Sequence, residues 1–273
     1  MPDQVLIIAR ADDQTTINTA KSWQAQLPLQ IVEVSKPGQV HALNTGLSHC
    51  NGDIIAITDD DAAPRGDWLE RIEAHFENDP KIGGVGGRDW MHQDGRLLVG
   101  EKRVVGRVMP FGRVVGFHHL GAGPPRDVDI LKGANCAYRM AAIRPIGFDT
   151  RLRGSGAQVH NDMLASLAVL HAGWRLVYDP AVAVDHYLAP RFDRDQRNRF
   201  DALATADRAY NFRLALREIS PGWKRLAAYA WHYVVGTRDE PGLVNFIRLI
   251  WRSDPNALLK FRAAHGLLRL GAE

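Results

Sequence analysis

The chain has 273 residues, 45% of them hydrophobic and 24% charged, which suits one large α/β domain with or without a small appendage and excludes the disordered and fibrous classes. Lysine plus arginine number 34 against 31 acids, with no basic run or stripe, so nucleic acid is not an expected partner. Cys50 and Cys136 lie far apart and outside any CxxC pattern, so a structural zinc is not expected and a reduced, cytoplasmic setting is.

The opening residues are polar and unlike a secretory signal, and they lead into a short apolar run at 5–9 that reads as a strand buried on both faces. Ile17, Ala20, Trp23 and Leu27 mark a helix over 15–27, and 30–34 a second strand. Pro37-Gly38 breaks the chain; Val40, Leu43, Leu47 and Cys50 then line one face of a helix that ends at Asn51-Gly52. Residues 53–58 form a third strand, and Trp68, Leu69, Ile72 and Phe76 outline a helix stopping at Asp79-Pro80. This alternation predicts a mostly parallel sheet with helical crossovers.

From about 83 to 132 the chain is rich in glycine, arginine and histidine, and loops with short strands are expected. A strand follows at 134–138, then a helix carrying Val159, Met163, Leu167 and Leu170 that closes at Gly173. Short strands are expected at 175–178 and 182–184. Beyond Pro190 the stretches 196–217, 223–235, 241–251 and 255–269 all read as helical. A boundary near 190 therefore divides an α/β domain, 1–190, from a helical C-terminal segment, 191–273. The apolar stretch 226–236 contains His232 and is too short to cross a bilayer; a buried helix or a peripheral membrane contact through the C-terminal helices would suit it.

Asp59, Asp60 and Asp61 follow the third strand, and ligands of open parallel sheets bind beyond the carboxyl ends of the strands. Three adjacent carboxylates repel one another unless a cation joins them. Mg2+ or Mn2+ suits such oxygen ligands, with substrate phosphates completing the shell. A single aspartate here would read as a helix cap; three together favour the metal.

The stretch PGQVHALNTGLSHCNGDIIAITDDDAAPRGDWLERI resembles the central block of family 2 glycosyltransferases, which adopt the GT-A fold. The matching elements are Gly38, Ala42-x-Asn44, Gly52-Asp53, the apolar strand and Asp59 to Asp61. The resemblance implies that Asn44, Asp59 and Asp60 border the nucleotide-sugar and that Asp61, with Asp59, ligates the metal. A second block, KGANCAYRMAAIRPIGFDTRL, resembles the family's Gly-x-Asn segment, its Arg-containing turn and its Gly-Phe-Asp signature. It implies that Gly133 and Asn135 border the donor sugar and the acceptor; alone, both would read as turn residues.

The third block, HNDMLASLAVLHAGWRLVYDPAVAVDHY, resembles the family's Glu-Asp helix, which ends in Ala-Gly-Trp. Asn161 stands at the Glu position, a departure, and Asp162 at the Asp position. The resemblance makes Asp162 the general base that takes a proton from an acceptor hydroxyl as it attacks the anomeric carbon, with inversion. His186 matches a histidine able to reach the metal or the diphosphate. His118 and His119 could line the acceptor side.

The resemblance as a whole implies transfer from a nucleotide-diphosphate sugar, a UDP-sugar in the first instance, to a saccharide or lipid-linked acceptor. Residues 5–16 resemble the family's second strand, with Asp12 or Asp13 as the base-recognising acid, so the first strand–helix unit is expected to be missing. Residues 5–9 should then either pair directly with 54–58 or leave a slot beside them. Two other readings stay open: a nucleotide-sugar-binding protein without turnover, and a nucleotidyltransferase. The helix ending at Ala172-Gly173-Trp174 favours glycosyl over nucleotidyl transfer.

Overall fold

A computed structural model describes residues 1–190, 194–196 and 199–268. Strand β1 (Val5–Arg10), helix α1 (Gln14–Lys21), strand β2 (Leu29–Val34) and helix α2 (Gln39–His49) come first. They lead into β3 (Ile54–Thr58), β4 (Ala62–Pro64), α3 (Trp68–Asn78) and β5 (Ile82–Gln93). Short strands β6 (Arg96–Leu97), β7 (Arg107–Val108), β8 (Val114–Val115) and β9 (Arg126–Asp127) fill the middle, with a 3-10 turn at His118–Leu120. Then come β10 (Asn135–Arg139), α4 (Met140–Ile143), α5 (Asn161–His171) and β11 (Arg175–Tyr187). Four helices end the described chain: α6 (Ala202–Leu216), α7 (Gly222–Val234), α8 (Leu243–Trp251) and α9 (Ala257–Ala264).

The central sheet runs β3-β10-β5-β11-β4, with β6 on β5 and β9 on β11. Pairing is mixed where strand–helix alternation suggested a mostly parallel sheet: β5 and β11 are parallel, but β10 runs antiparallel to both β3 and β5. Side chains alternate across the sheet as a two-residue period requires. Cys136, Tyr138, Leu176 and Tyr178 face a core built with α2, α4, α5 and α6. Ala137, Val177, Val182 and Val184 face the other way, onto Trp68, Ile72 and Phe76 of α3.

Among the described residues, strand β1 pairs in parallel with β2 alone, Ile7 opposite Ile31, in a separate two-stranded sheet. Direct pairing of residues 5–9 with 54–58 does not form; among the described strands β3 pairs with β10 only. Helix α2 joins the two sheets, since Leu6, Leu43, Ile55 and Ile57 pack on one core.

Several boundaries differ from expectation. Helix α1 stops at Lys21 and residues 22–27 form turns before Pro28, because the apolar stripe is buried only at Ile17 and Ala20, while Trp23 is 51% exposed and gives further turns nothing to pack on. The loops expected from 83 onward begin instead with the twelve-residue strand β5. Its glycines hid it: a Cβ on Gly87 would lie 1.6 Å from the Val182 carbonyl oxygen, and one on Gly84 2.7 Å from Leu176. Close approach of β11, rather than an apolar run, makes this segment a strand. The two short strands expected at 175–178 and 182–184 are one, β11, with an irregularity between Asp179 and Ala183. The helical stretch from 196 starts at Ala202, capped by Asp201, whose carboxylate accepts from Ala204 N at 2.8 Å. Residues 191–193, beside the expected boundary, residues 197–198 and 269 of the expected helices, and residues 270–273 lie outside the described residues.

Candidate active site

Strand β3 delivers Asp59 to its carboxyl end, and the chain turns at once, Ala62 N donating to Asp59 O at 3.2 Å. It returns as β4, antiparallel to β11, with Ala62 opposite His186 and Pro64 opposite Val184. That ladder brings a histidine 125 positions away beside the acidic triplet; Tyr187 N donates to Asp61 O at 2.7 Å. One ligand atom each from Asp59, Asp61 and His186 lies within 4.8 Å of the others. Asp60 points out and is exposed.

His186 is buried, with Nε2 3.0 Å from Asp61 Oδ1 and Nδ1 3.7 Å from Asp89 Oδ2. Neither ring nitrogen makes a well-directed hydrogen bond. Burial acts to lower its pKa, but the Asp61 and Asp89 carboxylates outweigh burial and raise it to about 9. The Asp59 carboxyl is pushed up from the usual carboxylate range, first by burial and then by the negative charge of Asp61. Two crowded carboxylates and an imidazole, with a proton held where a cation would sit, fit a divalent ion of the manganese type.

Behind them Asp89 of β5, fully buried, forms an ion pair with Lys132 Nζ. The Lys132 cation opposes the rise at Asp59, so the site joins, among the described residues, the carboxylates of Asp59, Asp61 and Asp89, the His186 imidazole and the Lys132 ammonium. Sequence reasoning missed both Lys132 and Asp89. Lys132 opens the KGAN segment, and a lysine beside glycine at a strand entrance was the available signal. Asp89 gave none, lying in a segment read as loop.

Asp162 occupies the first turn of α5. Its Oδ2 accepts from Gly133 N at 3.3 Å and its Oδ1 from Met163 N at 2.7 Å. Gly133 thus follows Lys132 directly and touches Asp162, while Thr58 Oγ1, next to Asp59, donates to Ala134 O at 3.2 Å. The 132–135 turn therefore links the acidic triplet to Asp162. Asn161 is buried and donates to Gln39 Oε1 at 3.0 Å and to Ala157 O at 3.0 Å.

Asn135, Asn44, Asp12, Asp13 and His118 have polar atoms engaged within the protein. Asn135 is fully buried: Oδ1 accepts from Trp68 Nε1 at 2.8 Å, and Nδ2 donates to Val182 O at 2.9 Å and Arg88 O at 3.3 Å. Asn44 clasps the Phe148 backbone, donating to its carbonyl at 2.7 Å and accepting from its N–H at 2.8 Å. Asn44 also lines a cavity of about 480 Å³ with Phe148, Leu164 and Ala168. Asp12, at the end of β1, pairs with Arg10 in the open. Asp13 caps α1, accepting from Thr16 N at 3.1 Å and Thr16 Oγ1 at 2.6 Å, bonds that hold its pKa low. His118 is buried, its Nε2 against Ile130 O at 2.8 Å, and His119 is half-buried; burial lowers both pKa values.

The sequence matches the family model for glycosyltransferase-like family 2 over residues 1–202. It is 31% identical over 149 residues to the pre-mycofactocin glycosyltransferase of Mycobacterium tuberculosis, covering 55% of this chain and 30% of that protein. It is 27% identical over 160 residues to the glucosyl-dolichyl phosphate glucuronosyltransferase of Haloferax volcanii, covering 56% of this chain and 47% of that protein. The chain thus spans less than half the length of either curated relative. Among solved structures, the mannosyltransferase PcManGT from Pyrobaculum calidifontis, in complex with GDP-Man and Mn2+, superposes with a TM-score of 0.54 at 20% identity, covering 98% of this chain and 67% of that one. TarS 1–349 of S. aureus, in complex with UDP-GlcNAc, gives a TM-score of 0.60 at 15% identity, covering 97% of this chain and 74% of that one. Both likenesses are to GT-A glycosyltransferases and agree with the mixed sheet flanked by helices. With a family model covering well over half its length, the chain belongs to glycosyltransferase-like family 2.

Proposed function

We propose that this protein transfers a sugar from a nucleotide-diphosphate donor, a UDP-sugar, to a hydroxyl of a saccharide or lipid-linked acceptor, with inversion. The observation that carries this reading is the convergence of Asp59, Asp61 and His186 on one point within 4.8 Å. A Mg2+ or Mn2+ ion held there would supply charge neutralisation for a departing diphosphate. Lys132, already drawn toward Asp89, adds positive charge at the same end.

Asp162 is the group left to serve the other end of an in-line displacement. Two backbone N–H groups fix its carboxylate at the start of α5, and the 132–135 turn separates it from the acidic triplet. Asp162 takes the acceptor proton, so the incoming oxygen attacks as the glycosidic phosphate bond breaks. A single displacement inverts the anomeric centre. The amides of Asn44 and Asn135 serve this reading by shaping the wall, since Asn44 is spent on the Phe148 backbone and Asn135 on the Trp68 indole and two backbone carbonyls.

Release of nucleoside diphosphate from a panel of UDP- and GDP-sugars with Mn2+ tests the activity. Asp61→Ala is expected to abolish metal-dependent donor binding in calorimetry. Asp162→Asn is expected to bind donor normally and to lose about 10²-fold or more in turnover. Equal loss of binding in both variants would remove Asp162 from the role of base. Tight donor binding with no diphosphate release in the presence of acceptors would favour a binding protein without turnover.

A further inference from the structure

No helix among the described residues is long and apolar enough to cross a membrane, yet α7 and α8 carry apolar side chains outward. Helix α8 exposes Leu243, Val244, Ile247, Ile250 and Trp251, the last 87% exposed. At helical spacing these five fall within an arc of about 120°. The inward side holds the helix without them: Leu249 is buried, Phe246 stacks on Phe261 at 4.5 Å, and Asn245 Nδ2 donates to Val235 O at 3.0 Å. Helix α7 repeats the arrangement. Ala228 and His232 face in, while Trp223, Leu226, Tyr233 and Val234 are exposed on an arc of about 100°.

The exposed charge along this segment is mostly of one sign. Between 222 and 267 the exposed charged residues are Arg225, Arg238, Arg248, Arg252 and Arg262 against the single acid Asp239. Asp254 and Glu240 neutralise partners inside the protein, Lys260 and Arg208. An apolar face with tryptophan at its edge and arginines along its flanks matches the boundary of an anionic bilayer, where aromatic rings sit at headgroup level and arginines reach the phosphates. A second copy of the chain fits less well, because a two-fold contact would set this arginine rim against itself.

We propose that α7 and α8 form a docking face that lies in the surface of an anionic membrane, α8 seated by Ile247, Ile250 and Trp251. The face is on other elements than Asp59, Asp61 and His186, and its test uses no sugar donor, so either reading can fail without the other.

Flotation of the whole chain with phosphatidylcholine vesicles, with and without phosphatidylglycerol, tests it. The protein should float with the anionic vesicles, less so at high salt, and stay behind with the neutral ones. The double variant Ile250→Ser, Trp251→Ser should lower the bound fraction about tenfold or more with an unchanged circular dichroism spectrum. Arg248→Gln with Arg252→Gln should remove the preference for anionic lipid. The proposal is overturned by absence of flotation, or by flotation that the apolar double variant leaves intact. A concentration-dependent dimer that this variant dissolves, without vesicle binding, would assign the face to a second copy instead.

Discussion

Asp61 and Asp89 approach the two ring nitrogens of His186 at 3.0 Å and 3.7 Å, and their charge decides what that ring carries. Burial alone would leave it neutral; the carboxylates raise its pKa to about 9, so near neutral pH the metal-free chain holds an imidazolium. An imidazolium cannot ligate a metal, so a cation held by His186, as proposed, would have to expel that proton. Affinity for Mn2+ should therefore rise with pH up to about 9, with close to one proton released per ion bound near neutrality. Calorimetry in buffers of different ionisation enthalpy measures the proton directly. An affinity flat from about pH 6.5 to about 8.5 would take His186 out of the ligand set. Asp59, also raised, extends the same competition to lower pH.

Elements show where sequence patterns speak and where they fall silent. The order from β1 to α3 was legible apart from β4, whose three residues Ala62–Pro64 are too short to show a strand pattern, because apolar runs and helical stripes alternate through the rest of that span. So was the placing of Asp59 to Asp61 at a strand end. The nearness of His186 could come only from the resemblance, because it depends on the β4–β11 register, a pairing between residues far apart in sequence. Strand β5 was illegible for another reason: its glycines are selected by what lies against them. Gly87→Ala should therefore be severe, since its Cβ would meet the Val182 carbonyl at 1.6 Å and the parallel pairing with β11 would have to part. A loss of roughly 3 kcal/mol or more in urea unfolding, or failure to accumulate, is expected. Gly66→Ala, with nothing within 4 Å of its Cβ, is the control and should stay within about 0.5 kcal/mol. Helix α7 carries a different liability. Burial, then the Arg213 charge, lowers the His232 pKa to about 4, with Phe212 5.2 Å away. The unfolded chain binds that proton more readily, so stability is full above about pH 6.5 and is lost as pH falls toward about 4, by up to roughly 3 kcal/mol. His232→Phe should flatten this acid limb in denaturant titrations, and an unchanged limb would place the acid sensitivity elsewhere.

At the scale of the whole molecule, the central sheet and the β1–β2 sheet share a core but, among the described residues, no hydrogen-bonded strand pair. The larger one is covered on both sides: eight consecutive residues of β5 are buried, and β10 packs Cys136 and Tyr138 one way and Ala137 the other. The smaller is only half-buried over most of β1 and β2. It is tied to the rest through α2: Gln4 Nε2 donates to His49 O at 2.9 Å, Asn51 N donates to Gln4 Oε1 at 3.0 Å, and Ile8 packs under Gly46. Breaking those ties frees β1, α1 and β2 as a unit without parting any strand pair of the central sheet. Local opening of that kind costs less than global unfolding. Native-state hydrogen exchange read by mass spectrometry should therefore find the β1 and β2 amides exchanging through an opening about 2 kcal/mol or more cheaper than the one that exposes β5 and β10. The gap should persist as denaturant is raised from low levels, until global unfolding overtakes it. Equal protection in the two sheets would mean that the α2 contacts bind them as tightly as a shared strand pair, and that β1 and β2 open only with the whole molecule.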